Sequence, residues 1–345
     1  MTNWKPFDIS FIQQQIFEDL AQRFPNKKAF IAELNRILGL KESAIYKKLR
    51  GDSQFTLKDM LMLSRHLNFS IDQCFAKKAS PVPFQVDAIR RQPASYEEYL
   101  QNINLHFKDL KAAENVTMYY VACEMPLFHY LQFPFLFYFK LFVWNETSWR
   151  SRQKSREFSF REFKQNKKLE KLRISMLNDY YTQDGVENWN IRFIDMSLDQ
   201  LKFYVNAGRF KNEEDIWVVF KDIEKLSAHL KRMAEKGRKF VLNDPDSLMG
   251  KLRVQMKELV SSTNVIYVST DEYDIVFSSF DTPNFIKSTD QRFCDYSKKW
   301  IDNVIEYSVD IGGVGKRERD RHFRIIGKKI ETVKEELKGM VSYLY

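Results

Sequence analysis

The chain is poor in cysteine, glycine and proline, with 3, 11 and 9 among 345 residues. Cys74, Cys123 and Cys294 are odd in number, far apart and never arranged as CxxC, which argues against a disulfide framework and against a thiolate metal site. His66, His106, His129, His229 and His322 are equally scattered, with neither HExxH nor a Cys–His spacing, so no metal site is expected. No GxSxG elbow occurs, and the Glu213–Glu214 pair suits a helix start, where the dipole favours carboxylates without catalysis. No cationic-then-apolar leader opens the chain, since "MTNWKPFDIS" is polar, and the expected compartment is the cytoplasm. One run has the length of a membrane span: "MPLFHYLQFPFLFYFKLFVW", residues 125–144. It carries His129, Gln132, Lys140, Pro126 and Pro134, so a buried aromatic helix is the better reading and no membrane partner is expected.

What is present is apolar bulk and positive charge. At 44% hydrophobic and 15% aromatic residues the chain can bury a large core, and its length suits two domains. The formal net charge of +9 favours an anionic partner. Residues 1–80 hold 13 Lys+Arg against 8 Asp+Glu, a balance of +5, whereas the remaining 265 hold 42 against 38, a balance of +4. The positive density is therefore concentrated at the front. Between the two parts, "KKASPVPFQVDAIRRQPAS" at 77–95 contains Pro81, Pro83 and Pro93 and reads as a linker. The domains expected are 1–76 and 96–345.

The front domain reads as short helices. Ile9, Ile12, Ile16, Leu20 and Phe24 recur at steps of three and four, and Pro25 closes the segment. Asn26 can cap a second helix through Phe30, Leu34, Ile37 and Leu38 that stops at Gly39. A third helix follows Leu40 and runs to Arg50, with Gly51 as its stop. Thr56 and Asp59 form a capping box for "LKDMLMLSRHL", and Ser70 caps a last short turn, "IDQCF". Five helices in about seventy residues make a compact bundle.

The pattern "LNRILGLKESAIYKKLRG…FTLKDMLMLSRHLNFSIDQCF" resembles the helix-turn-helix domain of Cro and lambda-repressor-like regulators over about residues 28–75. Leu34, Gly39, Leu40, Ile45, Gly51, Leu57, Leu63, Leu67, Ser70 and Asp72 carry the match. It departs from the family's usual pattern at Asn35, where Ala is common, and at Leu49, where Glu is common. The resemblance implies that the third helix enters the major groove of duplex DNA, usually in a dimer on paired half-sites. Carried over, Glu42, Ser43 and Lys47 would face base edges, while Lys41, Tyr46, Lys48 and Arg50 would touch phosphates. Ile45 and Leu49 face the core. The bland alternative is that this basic helix is a solvated face.

The rest of the chain carries fewer signals. Helices are expected at about 96–114, through the aromatic stretch to 146, on to about 181, and at 197–207, 213–237, 290–307 and 316–340. Strands are expected at "VTMYYVAC" and in a hairpin of "NVIYVST" and "DIVFSSF". The fold class is thus mainly α: a five-helix helix-turn-helix bundle followed by a larger, helix-rich α+β domain with few strands. "GGVGK" at 312–316 suggests a phosphate loop but fails its spacing, since Asp310 and Arg317 stand where Gly and Ser or Thr belong. Two basic runs, residues 150–173 with 10 cations and 3 acids and 316–329 with 7 and 2, read as paired or solvated faces in preference to DNA contacts. The aromatic stretch reads first as core, then as a dimer interface, then as an effector pocket.

The expected function is that of a cytoplasmic, sequence-specific DNA-binding transcriptional regulator of bacterial type. It has no catalytic residues and no cofactor; its partners are double-stranded DNA, a second copy of the chain and, where the large domain senses, a small-molecule effector. The competing readings are an enzyme with an appended DNA-targeting domain, which lacks a catalytic constellation here, and a protein–protein adaptor that no longer binds DNA.

Overall fold

In the computed structural model the described residues are 9–67, 69, 82–86, 93–111, 113–149, 156–258, 262–281 and 283–344. The chain forms two compact units, Met1–Pro83 and Phe84–Tyr345.

The first unit contains α1 (Ile9–Ala21), α2 (Lys27–Leu38), α3 (Glu42–Leu49) and α4 (Leu57–Leu67). The expected fifth helix, "IDQCF", lies outside the described residues, as does most of the expected linker. Periodicity sets the core here: Ile16, Leu20, Leu34, Ile37, Ile45 and Leu63 are buried together, and Phe17 stacks on Phe55 with ring centroids 4.2 Å apart. The caps act where their chemistry allows. The Asn26 side chain accepts from the Ala29 N–H at 2.9 Å. Thr56 and Asp59 exchange hydrogen bonds of 2.9 and 3.1 Å as a reciprocal box. Gly39 ends α2 in the left-handed region at φ 65°, a conformation that costs a side-chain-bearing residue about 1 kcal/mol.

The second unit is built on a mixed sheet, and here the sequence expectation of few strands is corrected: eight are present among the described residues. They are β1 (Thr117–Val121), β2 (Asp184–Asn190), β3 (Arg238–Val241), β4 (Asp244–Lys257), β5 (Val265–Ser269), β6 (Asp274–Asp281), β7 (Asn284–Ser288) and β8 (Val309–Asp310). The order is β3-β4-β2-β1-β5-β6-β7, with β8 on β4. β2 runs parallel to both β1 and β4, and the other pairings are antiparallel. Among the described residues nine α-helices accompany them: α5 (Tyr96–Lys111), α6 (Leu127–Tyr130), α7 (Pro134–Trp144), α8 (Phe160–Lys164), α9 (Lys167–Thr182), α10 (Asp195–Asn206), α11 (Glu213–Lys236), α12 (Gln291–Glu306) and α13 (Lys316–Leu344).

β2, "DGVENWN", escapes a hydrophobic reading because its buried side chains are polar and satisfied. Glu187 accepts from His129 Nε2 at 2.8 Å, Trp189 Nε1 at 2.8 Å and the Tyr180 hydroxyl. Asn190 donates to the carbonyls of Ala122 and Cys123 at 2.9 and 2.8 Å. Burial alone would raise the Glu187 pKa, but His129, Lys239 and Tyr180 outweigh it and hold the carboxyl down at about 2.

The aromatic stretch is core. Phe128, Tyr130, Phe133, Phe137, Tyr138, Phe139, Phe142 and Trp144 are all buried, and Phe135 is packed against them. α7 spans 11 residues, about 16 Å at 1.5 Å per residue and far short of a bilayer. Among the described residues no helix is long and apolar enough to cross a membrane. The fully buried Lys140 explains how the stretch tolerates a cation: its ammonium donates to Gln200 Oε1 at 2.7 Å, lies 3.6 Å from Glu124 and faces the Tyr130 and Trp144 rings. On the opposite face of β1, β5 and β6, α12 builds a smaller core from Cys294, Ile301 and Val304 against Val121, Tyr267 and Val276.

Candidate nucleic-acid interface

Two apolar anchors, one buried and one partly buried, fix α3 from behind. Ile45 is fully buried in the core of the first unit, and Leu49 packs against it one turn later. The segment joining α2 to α3 is held by Asn35, whose side-chain amide donates to the Leu40 carbonyl at 2.7 Å while its backbone carbonyl accepts from Gly39 N–H at 2.8 Å. The departure from Ala at this position therefore supplies a brace for the turn, and Asn35 remains exposed with room for its amide.

With Ile45 inward, helical geometry turns Ser43, Tyr46, Lys47 and Arg50 outward on one face, at steps of three and four. Lys41, Glu42, Ser43, Tyr46, Lys47 and Arg50 are all exposed. Lys41, Glu42, Ser43 and Lys47 make no side-chain hydrogen bond or ion pair among the described residues. Arg50 pairs with Asp52 at 3.3 Å, both well exposed, a contact of little energetic weight in water. Lys41 precedes the helix without a side-chain cap, so the positive end of the α3 dipole and its first N–H groups remain open.

Lys48 is placed otherwise than the sequence reading expects. Its ammonium donates to the Gln54 carbonyl at 2.6 Å, pairs with Asp59 at 3.2 Å and lies 5.1 Å from the Phe55 ring centroid, with the side chain only 14% exposed. It clamps α3 to the start of α4 and is not available to a phosphate. Burial tends to raise the Asp59 pKa, but hydrogen bonds from Thr56 and Lys48 prevail and the carboxyl lies below its ordinary value.

Two positions beside the α3 face escape sequence reasoning. Gln13 on α1 is buried: its carbonyl accepts from Phe55 N–H at 2.9 Å, and its amide donates to the carbonyls of Lys48 at 2.6 Å and Ser53 at 3.4 Å. It ties the end of α3 to the following loop, and nothing in "IQQQIF" distinguishes it from Gln14 or Gln15. Lys27, the first residue of α2, lies 5.8 Å from the Tyr46 ring centroid and so adds a cation beside the α3 face. Its place directly after the capping Asn26 was the available clue.

The other charged segments have different duties. Residues 150–155 of the first basic run lie outside the described residues, and Arg173 near its end grips Glu170 at 2.6 Å. In the second run, Lys329 pairs with Asp195 at 2.7 Å, and Arg319 turns inward to donate to the carbonyls of Ile311, Gly312 and Gly313 at 3.2, 2.6 and 3.3 Å. The "GGVGK" turn thus presents carbonyls to a guanidinium, the reverse of a phosphate cradle, which presents N–H groups. A Cβ at Gly315 would stand 2.1 Å from the Asp310 carbonyl oxygen, so this glycine serves the tightness of the turn.

No curated protein and no solved structure matches the chain. Residues 9–100, which hold the four described helices of the first unit and the beginning of α5, match the family described as the BetR domain, associated with helix-turn-helix DNA-binding regulators.

Proposed function

We propose that this chain is a sequence-specific DNA-binding transcriptional regulator of the lambda-repressor-like type, in which α3 enters the major groove and the Phe84–Tyr345 unit dimerises or senses. The observation that carries the reading is the exposed face of α3, cationic and free of strong internal partners, opposite a buried Ile45 anchor. In this reading Lys47 donates to guanine, Glu42 accepts from cytosine and Ser43 tolerates several bases. Lys41, Tyr46 and Arg50 set register on phosphates, with Lys27 joining them and Lys48 shaping the helix from inside. The match to the BetR domain supports the same class of activity. The brace supplied by Asn35 removes one motive for the adaptor reading, because the departure from the usual residue leaves the turn supported.

Selection of bound duplexes from a random pool tests the proposal. The expected result is enrichment of a short motif, repeated as two half-sites about one helical turn apart if the chain acts as a dimer. A pool that stays random after repeated rounds overturns it.

A further inference from the structure

The second unit contains a cavity of about 120 Å³ between α5 and the β1-β5-β6-β7 end of the sheet. Five carbocyclic rings line it, those of Tyr99, Phe107, Phe128, Phe277 and Phe285, with aliphatic side chains and the amides of Asn102 and Asn284 completing a largely apolar interior. Among the described residues no lining residue is a carboxylate, and Lys287 is the one charged group among them. Its ammonium lies 3.3 Å from His106 Nδ1, so a cation and an imidazole stand together against apolar walls. Lys287 also holds the chain that leads in from the first unit: its backbone exchanges hydrogen bonds of 2.8 and 3.0 Å with Gln85, which docks as a bridge on the β7 edge, and Pro93 forms part of the cavity wall.

We infer that this cavity is an effector site for a small aromatic carboxylate. A cavity of this size takes a body about as large as a benzene ring, and the ring-lined walls favour an aromatic one. The Lys287 ammonium supplies the charge-assisted hydrogen bond that a carboxylate needs, and none of the described lining residues is an acid that would compete for it. Because Lys287, whose backbone holds Gln85, and Pro93 both line the cavity, occupancy bears on how the chain is held at these two points. This consequence for DNA affinity rests on the proposed function, whereas the ligand site itself does not.

The test uses the full chain and three matched probes, phenylacetate, 2-phenylethanol and 2-phenylethylamine, with binding followed by calorimetry in the absence of DNA. Phenylacetate is expected to bind saturably and about tenfold more tightly than the alcohol, with the amine weakest. Lys287→Met should reduce phenylacetate to the level of the alcohol, and Lys287→Arg should keep the preference. Absence of saturable binding by all three, equal affinity for acid and alcohol, or an unchanged preference in Lys287→Met overturns the site. Duplex affinity of the same chain, measured with and without saturating phenylacetate, should change several-fold. An unchanged affinity overturns the coupling alone, and failure of the chain to bind any duplex counts against the proposed function and not against the cavity.

Discussion

Lys47 and Lys48 stand about 100° apart around α3, and that rotation sends one ammonium to solvent and the other onto Gln54, Asp59 and the Phe55 ring. The two should therefore respond oppositely to the same substitution. Lys48→Met should destabilise the first unit by about 1–3 kcal/mol, because it removes a largely buried charge-assisted hydrogen bond and leaves Asp59 less well paired. Lys47→Met should stay within about 0.5 kcal/mol of the parent, as exposed substitutions do, and should act on duplex binding instead. Denaturant melts of both variants beside duplex titrations separate the two cases. Gln13→Ala offers a third pattern: with the Phe55 N–H and the Lys48 carbonyl stripped of their partner, about 2 kcal/mol of stability should go. Duplex affinity should fall with it, but the salt slope should not, since no charge is lost.

At the scale of elements, what could be read from the sequence was what local chemistry decides. Asn26, Gly39 and the Thr56–Asp59 box mark helix ends through contacts within a few residues, and the structure has those caps in place. The long amphipathic helices α11, α12 and α13 declare themselves by period. β2 did not, because a strand buried on a sheet interior can be polar when partners from other elements satisfy it, and most of those partners are distant in sequence. Glu187 is satisfied by His129, 58 residues away, and by Tyr180 on α9. Gly250 in β4 sits where a Cβ would meet the Gln183 carbonyl oxygen at 2.2 Å, a constraint set by the close approach of the end of α9. In the candidate site, exposure of Lys47 followed from the position of Ile45, whereas the inward turn of Lys48 depended on Gln54, Phe55 and Asp59 being folded back toward it. Glu187→Ala should cost about 3–5 kcal/mol, since it leaves a buried imidazole, hydroxyl and indole N–H without their acceptor. Thermal unfolding of the full chain, followed through the second unit's buried tryptophans, measures it.

For the whole molecule, charge connects stability with binding. Burial lowers His229 to about 3, helped by His129 and Arg232, and lowers His322 to about 4, helped by Lys329. Both are neutral in the native protein near neutrality, while the unfolded chain takes up their protons below about pH 6.5. Stability is therefore fully present above that value and declines as pH falls toward 4 and then 3. Glu187 acts in the same direction further down, its contribution being lost between about 4.5 and 2. His322 stacks on Phe193 with centroids 5.5 Å apart, and neither ring nitrogen has a hydrogen-bond partner among the described residues. His322→Phe should accordingly keep the packing and flatten the melting temperature's dependence on pH between 7 and 5. The net positive balance of the first 80 residues predicts binding that weakens steeply with salt, as phosphate contacts release counterions. The most direct measurement is the salt dependence of duplex affinity for the parent and for the Lys47→Ala, Arg50→Ala double variant. The account predicts weaker binding and a slope shallower by about one or more for each reading unit, with an unchanged melting temperature. An affinity and a slope identical to the parent's would contradict it.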